Sequence, residues 1–228
     1  MIRSAARSKA DYVKFQIYNS ERLNKTWDNY VYKLLELRNH QLADCQISTI
    51  LIECERNNII PMFTIFALDR IEFLKCVFEG RKVALKIASP DMSNYKLIDS
   101  VIKEFPLCQL FISTGMHTLK EVINTIDLYK DDVFFLYCIS HYPTLPEEIN
   151  YGLMQTFDGF SDHTIGISCA KKAIDKGIGY VEKHYTLSRR LPGTDQAISI
   201  EPDELQMLTS HAYNLENETI YKRRWSDG

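Results

Sequence analysis

The sequence has no apolar run long enough to cross a membrane, which takes about 20 residues, and no excess of charge of either sign. A formal net charge of -3 over 228 residues gives neither the basic stripe of a nucleic-acid binder nor a surface built to meet an acidic partner. There is no Cys-x-x-Cys pair. The six cysteines (45, 54, 76, 108, 138 and 169) sit mostly in apolar stretches, as reduced core thiols of a cytoplasmic protein would. Neither G-x-G-x-x-G nor G-x-x-x-x-G-K-[ST] occurs, so both nucleotide-binding fingerprints are missing. Low-complexity segments are missing too, and no repeat is longer than a βα unit.

What is present is an ordinary globular composition, 45% hydrophobic and 25% charged. The length predicts one domain over 1–228 with a sizeable core. The first ten residues, MIRSAARSKA, are basic, carry serine and lack acid. That composition matches a mitochondrial transit peptide. A strand follows at once, however, so cleavage would cut almost into the fold. The stretch 2–9 reads instead as the tail of a surface helix.

Short β-rich runs alternate with helical ones along the whole chain. Strands are expected over 12–16, 61–66, 83–87, 109–113, 133–138, 159–161 and 179–184. Helical spacing of apolar residues runs over 29–37, 42–57, 68–78, 95–104, 119–129, 147–157 and 167–176. Alternation at this spacing implies an α/β fold with a parallel sheet, either an open doubly wound sheet or a (β/α)8 barrel. The strand ends favour the barrel. Nearly every strand stops in residues able to do chemistry: Lys14 and Gln16, Thr64, Lys86 and Ser89, Ser113 and Thr114, Cys138 to Tyr142, Ser161 to Thr164, and Lys183 with His184. A barrel gathers all such ends on one face, whereas an open sheet concentrates its site at one switch point. Seven strands are legible and a TIM-type barrel has eight. The expectation is therefore an incomplete barrel lacking its first strand, the one that should precede the helix at 2–9.

Lys14 and Lys86 both close apolar strands. Two cations at equivalent places, with Thr64, Ser89, Ser113 and Thr114 nearby, suit a small polyanion such as a phosphate or carboxylate. A single lysine of this kind could equally snorkel to solvent. His163, in Ser161-Asp162-His163-Thr164, and His184, in Glu182-Lys183-His184, leave consecutive strands. Parallel neighbours lie about 4.8 Å apart, so the two imidazoles can share Mn2+, Fe2+, Co2+ or Zn2+ with open positions left over. Spacing alone fits two hydrogen-bonded histidines equally well. His40, His117, His141 and His211 have no such pairing, and His40 and His211 read as surface residues. Asp91, Asp162 and Asp195 are candidate acids. Asp195, in the loop Pro192-Gly193-Thr194-Asp195-Gln196, could orient a polyol or simply stabilise its turn.

Eight segments carry a resemblance. V-K-F-Q (13–16), K-I-A-S (86–89), S-T-G-M (113–116), C-I-S-H-Y-P (138–143), S-D-H-T (161–164), E-K-H-Y-T (182–186), P-G-T-D (192–195) and S-I-E-P-D-E-L (199–205) occur in the order found in the N-acetylneuraminate (sialic acid) synthase family. That family also contains synthases of legionaminic and pseudaminic acids. The resemblance covers most of the chain, and eight ordered segments are specific where one would be weak.

The resemblance implies a phosphoenolpyruvate-dependent synthase barrel that condenses phosphoenolpyruvate with an N-acetylated amino sugar, N-acetylmannosamine or a relative. It implies that Lys14, Gln16, Thr64, Lys86, Ser89, Ser113, Tyr142 and Ser161 surround phosphoenolpyruvate. His163 and His184 would hold a divalent metal, Mn2+ or Mg2+, and Asp195 would lie near the sugar. Asp91 stands where members often have Glu, Ser140 where some have Asn, and Gln196 where a His is common, which leaves the sugar open. A homo-oligomer is implied as well. Members begin with an A-E-I-G strand and an N-H-x-G turn, whose Glu helps the metal site. They end in an antifreeze-like domain that supplies an Arg to the acetamido group. Neither has a counterpart in this sequence. Two other readings stay open: another phosphoenolpyruvate–sugar condensing aldolase, and a non-catalytic remnant or partner subunit of a synthase.

Overall fold

The structure is a computed structural model. It describes residues 1–20, 38 and 40–226, with side chains described as far as 215. Among the described residues there are seven strands, β1 (Tyr12–Ile17), β2 (Ile60–Ile65), β3 (Ala84–Ile87), β4 (Gln109–Ser113), β5 (Val133–Cys138), β6 (Gly159–Asp162) and β7 (Tyr180–Lys183). Their order in the sheet is their order in the chain. The helices are α1 (Ile2–Arg7), α2 (Asp44–Arg56), α3 (Ile71–Phe78), α4 (Tyr95–Glu104), α5 (Leu119–Tyr129), α6 (Tyr151–Met154), α7 (Ser168–Asp175) and α8 (Pro202–Ser226). Parallel strands in chain order, alternating with helices, are the (β/α)-barrel arrangement that the alternation predicts. The helix expected over 29–37 lies outside the described residues.

The chain divides into two compact units. The first comprises residues 2 and 11–134 and holds β1 to β4. β1 pairs with β2, β2 with β3 and β3 with β4, all in parallel. Strands buried on both faces read as continuous apolar runs rather than alternating ones, and β3 is buried at every residue. Phe63, Leu85, Ile87, Leu97 and Phe111 form the centre of this core, with Phe63 stacked on Phe78 at 5.2 Å. α5 begins with a capping box, in which Thr118 and Glu121 satisfy each other's backbone N–H, as that spacing of Thr and Glu dictates.

The second unit comprises residues 1, 3–10 and 135–228. β5 pairs with β6 and β6 with β7, again in parallel. Tyr137, Met154, Phe160, Cys169 and Ala173 pack as one cluster, and Ala170, Ile200 and Leu208 as another. The helix read over 2–9 is present as α1, with Ala5 buried. It is tied down by Tyr185 Oη donating to Ser4 Oγ at 2.7 Å, Ser8 Oγ to the Pro202 carbonyl at 3.2 Å, and Thr209 Oγ1 to the Ser8 carbonyl at 2.6 Å.

The helix expected over 147–157 is different in the structure. A 3-10 turn at Pro146–Glu148 is followed by the single turn of α6. Between them Ile149 is extended (φ -79°, ψ 114°) and buried, and Asn150 caps the new turn through the Leu153 N–H. Burying Ile149 and satisfying Asn150 outweigh the helical spacing. The segment 68–78 likewise opens with a 3-10 turn, Leu68–Arg70, before α3. All six cysteines are free. No helix among the described residues is long and apolar enough to cross a membrane.

Candidate functional site

In the first unit, strand register sorts the polar residues. Lys14 is level with Met62, Gln16 with Thr64, Thr64 with Lys86 and Lys86 with Phe111. Side chains alternate faces along a strand, so Lys14, Gln16, Thr64, Lys86 and Ser113 share one face. Lys86, Thr64 and Ser113 are buried, Lys14 is half-buried and Gln16 is exposed. Among the described residues the hydroxyls of Thr64 and Ser113 have no hydrogen-bond partner. Two orphaned buried hydroxyls beside a buried ammonium are costly unless something polar comes to meet them.

Ser89 begins a 3-10 turn that ends at Asp91. His117 fixes this turn, its Nε2 lying 2.9 Å from the Ser89 carbonyl. Sequence reasoning passed over His117 because the contact is long in sequence and follows no spacing rule. Burial pushes the Asp91 carboxyl above its ordinary range, against a weaker lowering by the Asn94 amide at 3.5 Å.

The second unit brings the two histidines together. The rings of His163 and His184 lie 5.5 Å apart, and Tyr142 lies 4.1 Å from the first and 5.9 Å from the second. His163 is buried. Its Nδ1 lies 2.8 Å from the Ile139 carbonyl, which can only accept, so Nδ1 carries the proton and Nε2 keeps its lone pair. The Tyr142 hydroxyl donates to that Nε2 at 3.0 Å. Burial drives the Tyr142 phenol above its usual range, with Cys138, Asp195 and Glu182 adding to the effect, so it remains a donor. The Tyr142–Pro143 peptide is cis. Asp195 brings Oδ2 to 3.6 Å from His184 Nδ1.

A divalent cation could draw two ligands from these imidazoles. Each imidazole has its Nδ1 directed at an oxygen, the usual arrangement for a metal-binding histidine, and a cation on His163 Nε2 would have to displace the Tyr142 hydroxyl. Among the described residues no group of three or more His, Cys, Asp or Glu converges in a way that could hold a metal.

Register also finds what the motifs alone did not. Ser161 is level with both Cys138 and Glu182, and its Oγ donates to Glu182 Oε2 at 2.6 Å. Glu182 therefore lies on the same sheet face as Ser161. Asp162, read above as a candidate acid, lies on the other face. It pairs with Lys183 at 3.2 Å, both side chains almost fully shielded from solvent. Alternation along two short strands was the available signal. Of the other histidines, His141 pairs with Glu148 on the surface and His211 with Asp175, while His40 is exposed.

The NeuB family model matches residues 1–223. The N,N'-diacetyllegionaminic acid synthase of Legionella pneumophila is 32% identical over 242 aligned positions, which cover 91% of this chain and 64% of that protein. The pseudaminic acid synthase of Campylobacter jejuni is 28% identical, with 91% and 65% covered. The chain thus spans just under two thirds of the length of these relatives. Among solved structures, the N-acetylneuraminic acid synthetase of Leptospira borgpetersenii, in complex with citrate, matches with a TM-score of 0.84 at 28% identity, covering 96% of this chain and 78% of that one. Strand order, strand-end chemistry and the match over nearly every residue agree, and the chain belongs to the NeuB family.

Proposed function

We propose that this chain condenses phosphoenolpyruvate with an N-acetylated amino sugar to give a nonulosonic, sialic-type acid and phosphate. The observation that carries the reading is the shared face of β1 to β4, where buried Lys86 stands with the orphaned hydroxyls of Thr64 and Ser113. Lys14 and Lys86 hold the anionic groups of phosphoenolpyruvate, and Gln16, Thr64, Ser89 and Ser113 supply the directed hydrogen bonds. The related Leptospira synthetase accommodates citrate, a small polyanion, which supports an anion pocket in this family.

His163 and His184 would hold the divalent cation, Mn2+ or Mg2+. When bound, that ion supplies positive charge to an aldehyde oxygen. Tyr142 moves off His163 Nε2 and keeps its phenol proton, so it can donate to a substrate oxygen. Asp195 orients His184 and the sugar hydroxyls, and Asp91 stands ready as a further acid. Carbon 3 of phosphoenolpyruvate forms the new bond to the aldehyde carbon, whose oxygen takes up a proton. Water adds to the cationic carbon 2, and loss of phosphate leaves the keto group. Orientation and fixed charge contribute most of the rate.

The test is release of inorganic phosphate from phosphoenolpyruvate in the presence of Mn2+, with N-acetylmannosamine and a diacetamido sugar tried separately. Release that depends on one sugar supports the reading and names the acceptor. Binding of phosphoenolpyruvate without release under either sugar would leave a binding subunit in place of a synthase.

A further inference from the structure

We propose that the buried Lys183–Asp162 pair is a positioning device that sets the spacing and orientation of His163 and His184 from the opposite face of the sheet. Asp162 and Lys183 are level with each other across β6 and β7. His163 and His184 are the next residue along on each chain. The ion pair therefore joins the two strands one residue before the two imidazoles leave them.

The pair also grips the turn that carries His163. Asp162 Oδ1 accepts the Thr164 N–H at 2.8 Å, and Lys183 Nζ donates to the Thr164 carbonyl at 2.6 Å. The carbonyl of His163 itself is held by the Thr144 N–H at 3.1 Å. The Asp162 side chain is 0% exposed and that of Lys183 only 3%, so neither can reach a substrate on the histidine face. Among the described residues Asp162 Oδ2 has no hydrogen bond and lies 3.2 Å from Lys183 Nζ.

As a contribution to stability this arrangement is poor. Taking two charges out of water costs several kcal/mol per ion, and apolar residues of similar volume often do as well or better. What apolar residues could not do is hold the N–H and the carbonyl of Thr164 at once. The yield of the pair is geometry, and the groups whose geometry it fixes are the two imidazoles.

The inference rests on the proposed function only in naming a divalent cation as what the imidazoles hold. The experiment compares the wild-type chain with Asp162→Asn/Lys183→Met, in which both charges are removed together, and with Asp162→Asn alone. Three quantities are read: the melting temperature, the Co2+ affinity from its visible spectrum, and the imidazole Nδ1–H resonance of His163 in 15N-histidine-labelled protein, assigned by its loss in His163→Gln. The expected result for the double variant is a melting temperature near wild type, Co2+ affinity reduced about 10–100-fold, and an Nδ1–H signal lost to exchange. Wild-type affinity and a sharp signal in a stable double variant would overturn the proposal and leave the pair a structural element.

If the double variant does not fold, Asp162→Asn decides. It keeps the shape of the carboxyl and an acceptor for the Thr164 N–H, and the same two outcomes apply. If the wild-type chain binds no divalent cation, the metal reading fails separately. The Nδ1–H signal then decides the positioning role alone, its loss supporting the role and its retention overturning it.

Discussion

Lys86 carries its charge into a buried place where two hydroxyls wait without partners. A ligand of the native state raises stability by RT ln(1 + [L]/Kd), about 2.7 kcal/mol at a hundredfold excess over Kd. Millimolar phosphoenolpyruvate should therefore raise the melting temperature of the wild-type chain, and Lys86→Ala should remove most of that rise. The ligand-induced difference is the quantity to compare, since the substitution also shifts the baseline. Asp91 gives a second test. Burial raises its carboxyl pKa above the ordinary 3.8, so the fold disfavours the ionised form. The penalty is absent below about pH 3.8 and fully present once the pH exceeds the folded-state value. Asp91→Asn, which can still accept from Asn94, should melt about 1–3 °C higher than wild type at pH 7 and at the same temperature near pH 3. If Asp91 also serves catalysis, the same variant should release phosphate more slowly. A gain in stability with a loss of activity is the usual signature of a group kept for function.

Among the elements, β6 is closely packed at Gly159. A Cβ on Gly159 would stand 2.4 Å from Leu136 Cδ2, 2.8 Å from Tyr180 Cβ and 2.9 Å from the Tyr180 carbonyl oxygen. The obstruction on the Tyr180 side is backbone, which cannot swing away. Gly159→Ala should cost about 1–3 kcal/mol and lower the melting temperature by about 3–10 °C in thermal unfolding followed by circular dichroism. At this scale the strands were legible because each is a short apolar run ending in polar residues. The helix over 147–157 was not, because burial of Ile149 and the Asn150 cap are tertiary facts that override a helical period. Within the candidate site the motifs found both histidines and the two lysines. They did not separate Glu182 from Lys183, or Ser161 from Asp162. Residues adjacent in sequence belong to opposite faces, and only the register of β6 against β7 assigns them.

At the scale of the whole chain, each compact unit carries its own chemistry. Residues 11–134 contain the lysines and hydroxyls suited to an anion, and residues 135–228 contain the two imidazoles with Tyr142, Glu182 and Asp195. The two binding events should separate in mutants. His163→Ala/His184→Ala should abolish binding of Mn2+, measured by elemental analysis after dialysis, and leave the phosphoenolpyruvate-induced rise in melting temperature within a degree or so of wild type. Equal metal content in the two proteins would end the histidine assignment.

The alternation of β6 and β7 also decides which changes of length the chain can survive. A one-residue slip in a strand moves every side chain beyond it to the other face. Deleting a single residue within β7 would turn His184 toward the packed layer that now holds Lys183, and would leave Asp162 facing a histidine. The same deletion in the exposed loop at 189–194 would shorten a surface turn and leave both strand tips where they are. In a library of single-residue deletions scored for soluble expression and Co2+ binding, positions 180–184 should be lost on both counts, while much of 189–194 should be retained. For these two strands, gaining or losing one residue is a heavier change than many substitutions.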